Sequence, residues 1–248
     1  MKRIVLVLAV VLLSIPVFTF AQGCIEASSD EGVNVVGYLQ SQFEYQFNEE
    51  DNENSFTFNR ARMGLVGNIP YDFSYYIMFE FSQFQNGPYL LDGFITYSRL
   101  APWVNISMGQ FKSPFSLELN TPCQGLHTIN RSMVVNALSF PGRDMGLLIG
   151  GHYDKFVKYN VAITNEITNE TLRDENANKT ITGRVVISPL DFINFGGSYK
   201  LGKTDITNEG EKRTRLAGEL EIEYSNLLVQ AEYIQGKGFF ETDDIEGG

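Results

Sequence analysis

From Val33 onward, apolar and polar residues alternate with a period of two, the spacing of a strand that has one greasy and one wet face. Between Val33 and Phe47, one face collects Val35, Gly37, Leu39, Ser41, Phe43, Tyr45 and Phe47. The other collects Asn34, Val36, Tyr38, Gln40, Gln42, Glu44 and Gln46. The split returns from Phe73 to Phe84, where Phe73, Tyr75, Ile77, Phe79 and Phe81 oppose Ser74, Tyr76, Met78, Glu80 and Ser82. It returns again from Arg215 to Tyr224, where Leu216, Gly218, Leu220, Ile222 and Tyr224 oppose Arg215, Ala217, Glu219, Glu221 and Glu223. Weaker copies run through 55–68, 90–99, 104–111, 144–153, 156–165, 180–188, 192–200 and 227–235, so the pattern predicts eleven strands. Most are long enough to cross a bilayer at a tilt, which takes about 9–11 residues, and longer than the globular norm of about five or six.

The connections sharpen the picture because long and short ones take turns. Long connections span 48–54, 112–143, 166–179 and 201–212, with a medium one at 85–89; short ones span 69–72, 100–103, 154–155, 189–191 and 225–226. Brief turns at one end and long loops at the other are what an all-β, antiparallel up-and-down transmembrane β-barrel requires. A secreted β-sandwich would also alternate, with its greasy face packed inward, but has no reason to keep the long-short rhythm. Aromatics near strand ends, among them Tyr45, Phe47, Tyr71, Phe73, Tyr97 and Trp103, fall where an interfacial girdle would lie. An odd strand count does not close a single-chain barrel. The sequence, which ends in what the rhythm makes an external loop, is therefore expected to be the N-terminal part of a larger barrel.

The N-terminus adds a compartment. Met1-Lys2-Arg3 precedes an apolar run from Ile4 to Phe20, and Thr19 and Ala21 supply small residues three and one positions before a cut after Ala21. This layout predicts a signal peptide over 1–21, a short N-terminal segment over 22–32 and an incomplete barrel over 33–248. A retained anchor would need about 20 unbroken apolar residues, and Pro16 interrupts the run. Losing Lys2 and Arg3 makes the formal net charge of −11 two units more negative, which disfavours nucleic acid as a partner. No later segment approaches 18 apolar residues, so membrane crossing would rest on strands. Cys24 and Cys123 are the two cysteines; an oxidising compartment permits a bridge, unlinked thiols fit equally, and Ala21-Gln22-Gly23-Cys24 is a weak match to a lipoprotein cleavage box.

Enzyme chemistry finds little support. His127 and His152 stand at no metal-ligand spacing, and the sequence holds no Cys-x-x-Cys, His-Glu-x-x-His, Gly-x-Ser-x-Gly or phosphate-cradling Gly-rich loop. No catalytic residue, metal or cofactor is expected. The rival, a barrel hydrolase using His127 or His152 with Ser132 or Ser139, rests on a chance pairing of common residues. The acidic stretches Glu49 to Glu53 and Glu241 to Asp244 read as solvated loop surface.

Particular segments carry a resemblance. They are Asn59-Arg60-Ala61-Arg62-Met63-Gly64-Leu65, Leu91-Asp92-Gly93-Phe94-Ile95, Gly109-Gln110-Phe111-Lys112-Ser113-Pro114-Phe115, Asn130-Arg131-Ser132 and Pro141-Gly142-Arg143-Asp144-Met145-Gly146. Together, over roughly Val33 to Ile234, they resemble the phosphate-selective porin O and P family, most specifically in the third and last segments. The resemblance implies a sixteen-stranded barrel of the bacterial outer membrane, usually a homotrimer in contact with lipid. It also implies passive diffusion of small ions such as phosphate or polyphosphate along a path of arginines and lysines. The third external loop, here Lys112 to Arg143, would fold inward and narrow the pore.

Lys112, Arg131 and Arg143 are therefore the candidate constriction residues, with Arg60 and Arg62 on the adjacent wall, because they are basic and lie at the loop or at wet-face positions. Each could equally pair with a lumenal carboxylate; Arg60 or Arg62 with Glu80 would meet across adjacent strands. The chain departs from the family pattern in that its wet face is mixed in sign. Arg60, Arg62, Lys158, Arg184, Lys200 and Arg215 share it with Glu44, Glu80, Asp92, Glu219, Glu221, Glu223 and Glu232. Cationic rings favour anions and carboxylate rings favour cations, so a general or cation-leaning pore stands as the alternative.

Overall fold

The computed structural model describes residues 32–46, 53–69, 71–82, 87–165, 178–204 and 211–238. The expected signal peptide, Cys24 and most of both acidic stretches lie outside these residues.

Eleven strands follow one another along a single antiparallel sheet in strict sequence order. They are β1 (Gly32–Gln46), β2 (Glu53–Ile69), β3 (Phe73–Glu80), β4 (Tyr89–Leu100), β5 (Val104–Lys112), β6 (Arg143–Tyr153), β7 (Val157–Thr164), β8 (Thr180–Leu190), β9 (Ile193–Thr204), β10 (Glu211–Tyr224) and β11 (Leu227–Lys237). Each of β2 to β10 bonds both sequence neighbours, while β1 and β11 each bond one, so the sheet is not closed. Among the described residues no helix is long and apolar enough to cross a membrane.

The alternation read from the sequence is a real division of faces. On the outer face Val35, Leu39, Phe43, Met63, Leu65, Ile149, Val185, Leu216 and Tyr233 are exposed. The inner face instead carries Arg60, Glu80, Asp92, Lys200, Arg215 and Glu219, all buried. A continuous apolar exterior of this extent has no stable contact with water and fits a lipid surround. β2 changes phase part-way: the register with β1 slips between Gln40 and Ser41, leaving Asn59 as an extra residue. Phe56 and Phe58 are exposed before the slip, and Met63 and Leu65 after it. A bulge of this kind preserves the apolar exterior while moving it from even to odd positions.

The short turns use residues in the left-handed region. Tyr71 and Asp72 adopt φ of 70° and 64°, the consecutive positive values of a tight hairpin whose twist matches its strands. At Gly151 the neighbouring chain is so close that a Cβ would lie 1.7 Å from the Trp103 carbonyl oxygen, so only glycine fits there.

The connection between β5 and β6 differs from all the others described. Residues 113–142 form helix α1 (Leu117–Asn120), a 3-10 turn (Cys123–Gly125) and helix α2 (Met133–Leu138). Ser116 and Ser132 cap the two helices, accepting from Leu119 N–H at 3.1 Å and Val135 N–H at 3.3 Å. Glu118 ties them together by accepting from the Ser132 amide and hydroxyl at 2.8 and 2.7 Å. Phe115, Leu119, Val135 and Leu138 pack with Ala217 of β10 and Ile234 of β11 into the apolar cluster of the described residues. With lipid taking the outer face of the sheet, this core forms on the inner face, between wall and loop.

Candidate functional site

Two sets of bonds stretch the 113–142 segment across the inner side of the sheet. Toward β9 and β11, Ser198 Oγ accepts from Ser116 N–H at 3.1 Å. The Glu232 carboxylate accepts from Leu117 and Glu118 N–H at 2.6 and 3.2 Å, and Lys200 Nζ donates to the Phe140 carbonyl at 3.0 Å. Toward β1 and β2, Arg60 Nη1 donates to the Ile129 carbonyl at 2.7 Å and to Gln40 Oε1 at 2.5 Å. Asn59 Nδ2 donates to Asn130 Oδ1 at 3.1 Å. The segment thus leaves β5, crosses beneath both flanks of the sheet and returns to β6.

Its middle gathers most of the basic residues singled out from the sequence. Arg62 Nε donates to Glu80 Oε2 at 2.6 Å, while its Nη1 reaches Tyr38 Oη at 2.8 Å and Cys123 Sγ at 3.1 Å. Arg131 extends toward the same sulfur, with Nη2 at 3.5 Å, and donates to the carbonyls of Glu118, Leu119 and Thr121 at 3.1, 3.3 and 2.9 Å. Lys112, cross-strand partner of Arg143, stands within electrostatic reach of Arg143, Arg131, Cys123 and Asp92. Arg143 is held bidentately by Asp92, at 2.9 and 3.2 Å. Arg60 stands apart from the sulfur, bound instead to the Ile129 carbonyl of the same loop, two residues before Arg131.

The partners decide how much positive charge survives. Arg62 and Arg143 each face a carboxylate, Glu80 or Asp92, in a bidentate or hydrogen-bonded pair that offsets most of their field. Arg131 and Arg60 bond to carbonyl and amide oxygens, which satisfy the guanidinium without cancelling its charge. Around the Cys123 sulfur, loop and wall thus bring together Arg62, Arg131, Lys112 and Arg143, with Glu80, Asp92 and the thiol as the opposing groups. Cys123 is a free thiol, buried at 6% exposure. Burial pushes its acidity down, but the Arg62 and Arg131 guanidiniums, the Tyr38 hydroxyl and Lys112 override that and hold its pKa at about 6.

A second basic group had only partial notice in the sequence. Lys200 of β9 with Arg213 and Arg215 of β10 lie on the inner wall at 2%, 2% and 1% exposure, and the Arg213 guanidinium sits 5.9 Å from the centre of the Phe140 ring. Carrying the β10 alternation two residues back from Arg215 would have found Arg213. Tyr38 is recoverable from its wet-face position, whereas no local signal marks Cys123. The wall also holds a third ion pair, Arg184 with Glu219, and Gly196 leaves room for it: a Cβ there would lie 2.2 Å from Glu219 Oε1. Among the described residues no group of His, Cys, Asp and Glu is arranged to hold a metal ion.

No curated protein matches the sequence. Among solved structures the chain is similar to OmpT, an outer membrane protein of Vibrio cholerae. Its loop L8 deletion mutant is 11% identical, with 84% of this chain and 83% of that chain covered and a TM-score of 0.43. The in-vitro folded trimer form is 12% identical, with 84% and 79% covered and a TM-score of 0.40. The family model of phosphate-selective porin O and P matches residues 33–226, from β1 to the turn after β10, and the chain belongs to this family of bacterial outer-membrane porins.

Proposed function

We propose that this porin is a passive, anion-preferring channel that admits inorganic phosphate or short polyphosphate past the neck formed by residues 113–142. The observation that carries the reading is the surplus of cations there: Arg60, Arg62, Lys112, Arg131 and Arg143 outnumber the carboxylates Glu80, Asp92 and Glu118, and stay in excess with Cys123 as a thiolate. In a narrow, low-dielectric passage such a surplus lowers the barrier for anions and raises it for cations. The charge sits on side chains already held by bonds, so an entering anion meets oriented donors and does not have to arrange them. Assembly as a trimer, the form in which OmpT of Vibrio cholerae is described, belongs to the same reading.

A general or cation-leaning pore has its own support in Glu221 and Glu223 toward the turn end of β10, and in Glu232, whose carboxylate is bonded to the loop itself. The zero-current potential in a planar bilayer under a potassium chloride gradient, repeated with phosphate added, separates the two. Anion selectivity with phosphate block, both weakened in Lys112→Glu and Arg131→Glu, is the expected result. Cation preference, or indifference to phosphate, leaves the fold standing and removes the phosphate assignment.

A further inference from the structure

The inner face of β10 carries an abrupt charge boundary. From the loop end toward the turn end, its alternate positions read Arg213, Arg215, Ala217, Glu219, Glu221, Glu223. Residues two apart on a strand share a face, and the intervening Leu216 and Tyr224 are exposed on the other side. The neighbours extend both halves. Lys200 of β9 is the cross-strand partner of Arg215, and Glu232 of β11 is that of Glu219. Two carboxylates directly opposite would repel, yet each has its own donors: Glu219 takes Arg184, and Glu232 takes the loop amides of Leu117 and Glu118.

The two halves differ in what remains after local bonding. Toward the turn end, Glu221 accepts from Asn194 Nδ2 at 2.9 Å and Gln230 Nε2 at 2.6 Å, while Glu232, midway along β11 and beside the boundary, accepts from the loop amides. These donors are uncharged, so the negative charge persists; among the described inner-face residues Lys158 of β7 is the opposing charge toward that end, three strands away from β10. At the loop end, Lys200, Arg213 and Arg215 join the cations of the neck, with Asp144 the carboxylate nearest them.

We propose that the lumen is electrically polar along its axis, basic toward the loops and acidic toward the short turns, and that the pore rectifies as a result. Anions are the mobile carriers in the basic half and cations in the acidic half. A voltage that makes the turn side positive drives both kinds toward the boundary near Ala217 and fills the pore with carriers. The reverse voltage draws both away and empties it. The effect depends on charges that are not screened within the pore, so it is large at about 0.01 M salt, where the Debye length is about 30 Å, and fades at about 1 M, where it is about 3 Å. The proposal rests on the chain being a porin and not on phosphate as its substrate.

The test is the current–voltage curve of single insertions of protein extracted from outer membranes, in symmetric potassium chloride. The orientation of each insertion is read from the side on which streptavidin reaches a biotin attached at Asn226→Cys in the β10–β11 turn. At low salt the current at turn-side-positive bias is expected to exceed that at the opposite bias on the order of twofold. The ratio falls toward one in high salt and in Glu221→Gln/Glu223→Gln. Glu223→Gln alone, at an exposed strand end, lowers the ratio part-way and serves if the double variant does not fold. Equal currents at low salt, the opposite polarity, or rectification undiminished in the variants would overturn the proposal. Phosphate block accompanied by a symmetric curve would remove rectification and leave the anion reading intact.

Discussion

Replacing Phe115 by alanine isolates the docking of the loop from the folding of the wall. Phe115 is 0% exposed, and its neighbours Leu119, Val135 and Leu138 belong to the loop while Ala217 and Ile234 belong to β10 and β11. Truncating a fully buried phenylalanine costs about 3–5 kcal/mol, partly as lost burial and partly as the cavity left behind. None of the strand ladders includes Phe115, so the loss falls on the docked loop. At about 1.4 kcal/mol per tenfold, the docking equilibrium shifts by roughly two to three and a half powers of ten. The Glu232, Ser198 and Lys200 bonds to the loop add about 0.5–1.5 kcal/mol each and do not replace the apolar contribution. Two assays read the outcome. Single-channel conductance should rise and become noisy as the neck opens, and trypsin should cleave at Arg131, whose guanidinium is engaged with loop carbonyls in the intact protein. Heat-modifiable migration should persist, because the barrel remains. Unchanged conductance with an intact loop would show that the cluster does not hold the neck in place.

Three other perturbations follow from the same geometry. Gly151→Ala places a Cβ 1.7 Å from the Trp103 carbonyl oxygen and should abolish the folded band on cold gels, whereas Gly218→Ala meets nothing within 4 Å and should fold normally. Leu39→Lys, midway along β1 at 65% exposure, should lower unfolding stability in lipid vesicles by about 2–4 kcal/mol, and a water-facing position would show no such loss. The Cys123 pKa of about 6 lies below its ordinary 9.0, so the thiolate's contribution to stability is fully present above about pH 9, declines as pH falls and vanishes below about 6. Thermal stability should therefore rise between those limits in the wild type relative to Cys123→Ser; parallel pH profiles for the two proteins would show that the thiolate is not stabilised.

The barrel wall was legible because lipid enforces a single rule on every strand. All eleven strands occur where the alternation placed them, and the errors lie where a strand breaks the rule for a physical reason. β2 read weakly because the extra Asn59 switches its apolar residues from even to odd positions. β10 begins four residues before Arg215 because Lys212 and Thr214 are polar outer-face residues near the loop end, beyond the apolar span. The Arg62–Glu80 pair was readable because the two are cross-strand partners on adjacent strands. Arg143–Asp92 was not, since it reaches over the intervening β5. Cys123 was illegible for a deeper reason: its position depends on where the loop docks, and docking is set by Phe115, Leu138 and Ile234, residues more than a hundred positions apart at the extremes.

The docking of the loop ties the packing of its apolar side chains to the placement of its charged ones. A soluble protein of this size would bury its apolar residues behind its sheet, but here the apolar face is turned outward and the inner face is charged. The wall compensates with a small break in polarity, Ala217 and Ile234, and the loop fills it with Phe115, Leu119, Val135 and Leu138. The same docking carries Arg131 and Cys123 to Arg62 and Lys112 and sets the local sign of the neck. Ala217 also divides Arg215 from Glu219 on β10, so the site that seats the loop is the site where the wall changes sign. A side chain larger than alanine at 217 would press on the loop and move the neck relative to both charged halves. Ala217→Leu should therefore change conductance and rectification together, whereas the exposed Leu216→Ala on the same strand should change neither. If Ala217→Leu alters one without the other, the docking site and the charge boundary act independently.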